Sequence, residues 1–231
     1  MMGVVDPRLS LAVDASRAWY DDVFALHGVP TACDDSLWRA LGAPPPHHSV
    51  AKTLRPGVPV STVVASVRGS GSVADSFADL DLPSSSLLFE ATWVHHDGDS
   101  HRGLPAAWSI ITSPEMLAVW SRAHDYVGVL TAAVLDRPAF TILGCFDGED
   151  LVGGSVLHEG SPTIGVSNMW ALPNRVLDWE ELVAAAHAVQ PDRPLTGYAR
   201  GEDLHRLLGA GWQAVGTQHV WARGNRTMPW I

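Results

Sequence analysis

The sequence predicts an α/β chain built around a mixed sheet. Three apolar runs rich in β-forming residues follow one another at 139–146, 151–158 and 163–173, and short turn sequences separate them. A segment with helical spacing comes next, from Asp178 to about Val189, and another apolar run follows it. Strands that alternate with helices are typical of this fold class. The content of 46% hydrophobic and 17% charged residues is that of a globular protein.

The first element is predicted to be a helix that begins after Asp14 or Ser16 and ends before the turn Gly28–Pro30. Its apolar residues recur on one face at helical spacing. They are Trp19, Tyr20, Val23, Phe24 and Leu26. We expect this face to pack against the rest of the protein.

The remainder of the first half contains shorter segments. We expect strands at 49–54, where the pattern alternates, and at 87–95, where aromatic and β-branched residues are frequent. Short helices are predicted at 37–41 and at 73–80. The run 60–67 fits either a helix or a strand, and a serine able to cap it favours the helix.

The most polar stretch of the chain, 96–103, is predicted to be a linker or a long hairpin loop. It divides the chain into an N-terminal subdomain, 1–103, and a C-terminal domain, 104–231. No convincing internal repeat is present. Because the first half also runs strand, helix, strand, a divergent half-copy of the C-terminal fold is left open for the N-terminal subdomain.

Caps and turn residues define the other elements of the C-terminal domain. A strand is predicted at 107–112, and Ser113 and Pro114 then open a helix, since serine caps free amides and proline fits the first turn. The remaining elements are predicted as a helix at 126–135, a strand at 193–198, a short helix at 201–208 and strands at 212–216 and 218–223.

The bulk properties limit the functional classes. A net charge of −10 argues against free nucleic acid or an anionic membrane as the main partner. Cys33 and Cys145 provide neither a disulfide framework nor metal-ligand spacing. The sequence has no secretory leader pattern, and no apolar run reaches the roughly 18 residues that a membrane span needs. A cytoplasmic enzyme or binding protein is therefore expected.

The closing unit of the chain has a distinctive order. A strand that ends at Tyr198 leads into a short helix, then into the pair Gly211–Trp212 and a final hairpin through Gly216 and Val220. With the strands before it, from about residue 105, this unit resembles the GNAT (GCN5-related N-acetyltransferase) superfamily. The resemblance implies a GNAT-like acyltransferase fold for the C-terminal domain, on which a helical or half-GNAT N-terminal subdomain packs.

In that superfamily the central strand, here 163–172, and the next strand, here 195–198, splay apart. Unpaired backbone groups in the gap then bind the amide arm of coenzyme A like an added strand. The resemblance therefore implies acetyl-CoA or another acyl-CoA as co-substrate, with its acyl carbonyl directed at the backbone of the central strand. The cofactor-binding residues implied are Met169, Trp170, Ala171, Leu172 and Arg175.

The chain departs from the family pattern in two places. The family follows its central strand with a glycine-rich turn that directs free amides at the pyrophosphate. Here 173–182 contains no glycine and carries Asp178, Glu180 and Glu181, with a single arginine as compensating cation. Leu207 stands where the family often has a tyrosine that protonates the departing thiolate. Two interpretations follow: an unusual acyl donor, or a cleft that no longer transfers acyl groups.

Three residues near the implied cleft are candidate catalytic groups. Asn168 can hold an acyl carbonyl or orient an amine, and Ser167 lies beside it in the sequence. Tyr198 can protonate a leaving thiolate, because a phenol is a proton donor. For all three, the alternative is an ordinary structural role in a strand.

Three further residues are candidates for the substrate site. His158 can deprotonate an ammonium group because its unperturbed pKa lies near ~6.5, and a solvated turn is the alternative. Glu90 and Trp93 lie on one predicted strand, where Trp93 and His95 share a face, and can shape a pocket; core packing is the alternative. The polar stretch 96–103 holds histidines and aspartates in no recognised metal spacing, so no metal is expected.

The sequence therefore predicts an acyl-CoA-dependent N-acyltransferase, most simply an N-acetyltransferase, that acts on an amine of a small molecule. One alternative is a catalytically degenerate protein of the same fold that binds a ligand or a partner. Another is a transferase that uses a carrier-protein or aminoacyl-tRNA donor. Free nucleic acid and membrane are not expected as partners, and a homodimer is left open.

Overall fold

The computed structural model describes residues 6–67, 70–98, 103–160, 162–173, 175 and 177–223. These residues form five α-helices, one short 3-10 helix and eleven strands. The elements are α1 (Pro7–Leu26), β1 (Thr31–Cys33), β2 (Leu37–Ala40), β3 (Ala51–Thr53), α2 (Val60–Ser66), β4 (Gly71–Asp75), β5 (Ser85–His96), β6 (Trp108–Ile110), α3 (Pro114–Ala123), the 3-10 helix (Ala132–Asp136), β7 (Phe140–Asp147), β8 (Asp150–Glu159), β9 (Ile164–Ala171), α4 (Trp179–Val189), β10 (Leu195–Ala199), α5 (Gly201–Gly209) and β11 (Gln213–Arg223).

All eleven strands belong to one mixed sheet, in the order β1-β2-β3-β4-β11-β5-β10-β9-β8-β7-β6. The pairs β3–β4 and β9–β10 are parallel, and the other neighbours are antiparallel. Strand β11, from the end of the chain, lies between β4 and β5 of the first half. Residues 1–103 and 104–231 therefore contribute interleaved strands to a continuous sheet. The predicted α/β class with a mixed sheet is confirmed.

Helix α1 packs across the middle of one face of this sheet. It begins at Pro7, earlier than the sequence predicts, because Asp6 caps it by accepting the backbone N–H of Arg8 at 2.9 Å. Trp19 and Val23 join α3 in one buried cluster. Helices α4 and α5 bury their apolar side chains in another cluster with the sheet. Each large apolar side chain buried in this way contributes about 1.5–3 kcal/mol.

Three short helix predictions are wrong. The segment 37–41 forms strand β2, in which Leu37 and Trp38 are buried, and 73–80 begins with strand β4. The segment 126–135 contains only the start of the 3-10 helix. Short apolar runs fit either structure locally, and pairing with strands distant in sequence decides between them.

The longer segments agree in type with their predictions. Strands β5, β7, β8, β9 and β10 and helices α2, α4 and α5 lie where the sequence predicts them. The strands predicted at 212–216 and 218–223 form one strand, β11, whose pairing with β5 is irregular between Ala214 and Gly216. Of the polar stretch 96–103, residues 99–102 lie outside the described part of the chain.

Candidate functional site

Strands β9 and β10 separate soon after they begin to pair. Their parallel pairing joins Leu195 to Ile164 and Thr196 to Gly165, and it ends there although both strands continue. At the next position, Gly197 approaches the other strand so closely that a Cβ atom would lie 2.6 Å from the Val166 carbonyl oxygen. The gap beyond it is the separation that the resemblance implies, and it leaves strand edges open to a ligand.

A β-bulge lies on the β9 side of this gap. The register between β8 and β9 shifts between Gly154 and Val156, and Asn168 has a φ of +52°. The β8 register gives no partner to Asn168 or Met169, so the backbone at this point turns away from its neighbour. Asparagine tolerates this left-handed conformation better than most residues. The bulge therefore presents backbone groups near the gap.

The gap opens into a cleft beside α1. The cleft has two adjoining cavities, of about 440 Å³ and about 570 Å³. Several residues line both cavities and so mark their common boundary: Ser16, Tyr20, His47, Phe89, His124, Tyr126, Asn168, Tyr198 and Arg200. A cleft of this size holds a small molecule.

Asn168 uses both ends of its side-chain amide. Its Nδ2 donates to Ser167 Oγ at 3.0 Å, and its Oδ1 lies 3.3 Å from Nε2 of His124. With this amide orientation the His124 proton lies on Nε2, which leaves Nδ1 as an acceptor. The His124 ring stacks on Trp170, and burial lowers the pKa of His124, so the ring is neutral at pH 7. No local pattern in the sequence connects His124 to β9, so its place in this site is not predictable from the sequence.

Tyr198 stands on β10 opposite this pair. Its ring meets the Trp93 ring edge-on, with 5.5 Å between the centroids. Tyr198 is 45% exposed because it lines both cavities. Its exposed part therefore faces the interior of the cleft. Burial in the cleft raises the pKa of Tyr198 to about 12, so the phenol keeps its proton at neutral pH.

His158 and Trp93 also line the first cavity, each tied to a neighbour. His158 Nε2 lies 2.8 Å from Asp22 Oδ2, while its Nδ1 is buried without a hydrogen-bond partner among the described residues. Burial lowers the pKa of His158, against the raising effect of Asp22. Trp93 donates its indole N–H to the Ser76 carbonyl at 2.9 Å. Both residues therefore form walls of the cleft.

The other residues predicted for the site lie in different places. Met169 lines the first cavity, whereas Trp170 packs its ring against Trp120 in the buried cluster under α3. Ala171 and Leu172 pack against the two main apolar clusters. Glu90 is exposed on β5 and pairs with His219 at 3.0 Å, outside both cavities.

The N-terminus of α4 does not fit a pyrophosphate. Asp178 accepts the backbone N–H groups of Glu180 at 2.9 Å and Glu181 at 3.2 Å, which are the amides that a phosphate would use. Arg175 forms an ion pair with Asp147 at 2.7 Å. Residues 174 and 176 are outside the described chain. The described residues here would repel an anion.

Clusters of metal ligands and membrane-spanning helices are both absent from the part of the chain that the structure describes. Within it, no group of three or more histidine, cysteine, aspartate or glutamate side chains could hold a metal ion. Asp99 and His101 of the polar stretch lie outside that part. Of the described helices, none has the length and apolar character to cross a membrane.

Comparison with known proteins finds similarity in structure alone. No family model matches the sequence, and no curated protein matches it. A GCN5-related N-acetyltransferase from Kribbella flavida superposes with a TM-score of 0.60 at 12% identity, over 94% of this chain and 97% of that one. A protein assigned to the GNAT family from Novosphingobium aromaticivorans has a TM-score of 0.63 at 9% identity, over 95% and 100%.

A conserved protein of unknown function from Staphylococcus epidermidis has a TM-score of 0.61 at 10% identity, over 84% of this chain and 93% of that one. Identities this low establish a shared fold and leave the substrate undefined. The split strands, the bulge and these superpositions all indicate the same fold. The chain therefore has the fold of the GNAT superfamily.

Proposed function

We propose that the protein is an N-acyltransferase that moves an acyl group, most simply acetyl, from a thioester donor such as acetyl-CoA to an amine of a small molecule. The observation that carries the proposal is the split between β9 and β10, which has the Asn168 bulge on its edge and a cleft beyond it. A donor arm in the split and an amine in the cleft would meet at the bulge.

The donor would bind mainly through its amide arm and its acyl group. Open backbone groups of β9 and β10 can pair with an extended arm as a sheet edge pairs with an added strand. The acidic N-terminus of α4 gives no support to a nucleotide pyrophosphate. The same observation favours a second donor, a pantetheine thioester carried on a protein, because that donor has no pyrophosphate.

The residues at the bulge would lower the barrier to attack by the amine. As the nitrogen forms its bond to the acyl carbon, negative charge develops on the carbonyl oxygen. The backbone amide groups at Asn168 and Met169, or the Asn168 side chain, would stabilise that charge. Nδ1 of His124 would take the proton that the ammonium group must lose. Because the pKa of His124 lies below that of an ordinary histidine, the ring is unprotonated at pH 7 and able to accept it.

Tyr198 would complete the reaction. When the carbon–sulfur bond breaks, the thiolate leaves with the bonding electrons and needs a proton. Tyr198 lines the cleft on the β10 side of the split and keeps its phenolic proton at neutral pH. Ser167 and His158 would hold the bulge and the cleft wall in position through their hydrogen bonds to Asn168 and Asp22.

The test is an acyl-transfer assay with the purified chain. Acetyl-CoA and S-acetyl-pantetheine are each mixed with a panel of primary amines, while free thiol is followed by absorbance and acylated amine by mass spectrometry. We expect thiol release that depends on both protein and amine. The double variant Asn168→Ala, Tyr198→Phe should abolish it, and the control variant Arg206→Met on the outer face of α5 should not.

Isothermal titration with each donor separates the alternatives. Donor binding without transfer, over the whole amine panel, would contradict catalysis and indicate a binding protein of this fold. The absence of both binding and transfer with either donor at millimolar concentration would overturn the proposal.

A further inference from the structure

The larger cavity of the cleft has a polar end away from the bulge. Lys52 of β3, the only lysine in the sequence, lines it, and so does Gln218 of β11. Their side chains are only 1% and 2% exposed. Ser49 and Ser72 line the same end, but they hydrogen-bond to each other at 3.0 Å. Ser72 is the donor in that pair, and Lys52 and Gln218 are the buried nitrogen donors at this end.

The Lys52 ammonium group has aromatic neighbours and, among the described residues, no ion-pair partner. Its Nζ lies 5.0 Å from the centroid of the Trp93 ring and 5.4 Å from that of Tyr20. Among the described residues it forms no ion pair. Asp75, the acidic residue that acts on its pKa, accepts the Leu80 backbone N–H at 3.0 Å in its own turn. A buried cation without a counter-ion is costly, so an anionic ligand would be bound strongly here.

Gln218 provides an independent sign of a ligand. Its side-chain nitrogen is buried and, within the described part of the chain, has no hydrogen-bond partner. The two ends of an amide are nearly equal in shape, so rotation about the last bond can direct the nitrogen into the cavity. An unpaired donor of this kind is unfavourable unless something accepts from it.

Positively and negatively charged side chains line different parts of the larger cavity. Lys52 lies at the far end, and Arg200, which stacks on Phe89 at 4.8 Å, lines the boundary with the first cavity. Asp125 lines the same cavity and directly follows His124, whose ring contacts Asn168. A molecule with an ammonium group near Asn168 and a carboxylate near Lys52 would satisfy both ends.

We propose that Lys52 and Gln218 bind the carboxylate of the acceptor, so that the acceptor is an amine that also carries an acid group, such as an amino acid. The assignment of the amine end rests on the proposed acyl transfer, while binding of the acid end does not. The aromatic walls exclude water from the ion pair and so strengthen it. Recognition of the acid end would favour acceptors that carry an acid group over amines that lack one.

The pH dependence of binding provides a signature of Lys52. Burial lowers the pKa of its ammonium group to about 7, and a bound carboxylate would raise that pKa again, so binding above pH 7 takes up a proton. The tyrosines and histidines that line the cavity do not change charge between pH 7 and 9. Burial raises the pKa of the three tyrosines and lowers that of the two histidines: Tyr20, Tyr126, Tyr198, His47 and His124. Burial also raises the pKa of Asp75, the carboxyl group that acts on Lys52. Asp125 and Arg200 line the same cavity.

The test measures binding in the absence of any acyl donor. The probes are L-phenylalanine, phenethylamine and 3-phenylpropionate, which share one ring and differ in their charged ends, together with the other standard amino acids. Isothermal titration at pH 8, in two buffers with different heats of ionisation, gives both affinity and proton uptake. We expect the acid-bearing probes that fit the cavity to bind at least about tenfold more tightly than their decarboxylated amines, with uptake of a proton.

Variants assign the effect to Lys52. Lys52→Met, which keeps the length and apolar stem, should weaken acid binding about tenfold and remove the proton uptake. Lys52→Arg should retain part of the affinity, and Gln218→Leu should weaken it without changing the uptake. Arg206→Met removes an exposed cation elsewhere and should change neither. Thermal unfolding of each variant shows that it has folded.

The outcomes separate this proposal from the acyltransferase proposal. Acid binding that depends on Lys52, without acyl transfer to any bound acid, supports the carboxylate site and contradicts the acyltransferase. Acyl transfer to simple amines, without preference for acids and without an effect of Lys52→Met, overturns the carboxylate site and leaves the acyltransferase standing. The failure of every acid-bearing probe to bind would likewise overturn the carboxylate site.

Discussion

Nε2 of His124 lies 3.3 Å from Oδ1 of Asn168, and the two residues belong to different layers of the protein. His124 follows α3, whereas Asn168 stands at the bulge of β9 with a φ of +52°. The contact holds a neutral ring beside the one point where β9 turns away from its neighbour. It therefore couples the candidate base to the backbone that would stabilise the acyl carbonyl.

Replacing Asn168 separates the role of its backbone from that of its amide. Asn168→Gly keeps the left-handed conformation, whereas Asn168→Ala strains it by about 1 kcal/mol. We expect both variants to transfer acyl groups at least about tenfold more slowly, because both lose the hydrogen bond that orients His124. Thiol release gives the rate, and urea unfolding gives the stability. Full activity in the glycine variant would show that the side chain has no part in the reaction.

Tyr198→Phe tests the proton donor. We expect kcat to fall by about 10²-fold with little change in acceptor binding, since the phenol acts on the leaving thiolate. The defect should shrink with an S-acetyl-thiophenol donor, whose thiol is more acidic and leaves without a proton. Kinetics with both donors, measured on wild type and variant, check this. An equal loss with both donors would assign Tyr198 to packing against Trp93.

The buried ring of His48 should make stability depend on pH. It accepts the Trp19 indole N–H at 3.0 Å, and burial lowers the pKa of His48 to about 4. Between pH 6.5 and 4 the unfolded chain binds a proton that the folded chain does not. Stability is therefore full above pH 6.5 and falls, by about 3 kcal/mol from this residue, as the pH approaches 4.

Urea unfolding at intervals from pH 4.5 to 7.5 measures this slope. In His48→Gln, which can still accept from Trp19, the slope should be shallower than in wild type. The exposed His205 offers a matched control, because His205→Gln should leave the slope unchanged. Parallel curves for all three proteins would contradict the prediction.

If the proposed acyl transfer takes place, the acidic N-terminus of α4 should make its rate independent of the nucleotide part of the donor. We expect kcat/KM for acetyl-CoA and for S-acetyl-pantetheine to agree within about fivefold, because Asp178 already occupies the amides of the first turn. Glu180→Gln with Glu181→Gln should increase the preference for acetyl-CoA by removing repulsion. A preference of 10²-fold or more in the wild type would reveal a phosphate site elsewhere.

The part of the fold that sequence predicts best is the run from β7 to α5. Its strands carry apolar residues between clear turns, and α4 lies within the predicted helical segment from Asp178 to about Val189. Such signals act within a few residues, so they can be read locally. The split between β9 and β10 came instead from the resemblance of the closing unit. Sequence placed Ser167, Asn168 and Tyr198 near that split, and in the structure all three line the cleft.

Other features depend on contacts between distant segments. The helix predicted at 37–41 is strand β2, because β1 and β3 supply its hydrogen-bond partners. Glu90 and Arg175 carry charges that suit a substrate or a phosphate, yet they pair with His219 and Asp147 outside the cleft. A charge pattern cannot show which side chains meet.

The sequence by itself determined the fold class, the order of strands β7 to β10 along the chain and the absence of glycine before α4, because all of these are local properties. Only the tertiary structure decided that β11 lies between β4 and β5, that His124 reaches Asn168, and that Lys52 and Gln218 line one cavity. Those juxtapositions join residues up to 166 positions apart in the printed numbering, from Lys52 to Gln218. Packing of the whole sheet brings such residues together, and no short-range pattern in the sequence encodes their juxtaposition.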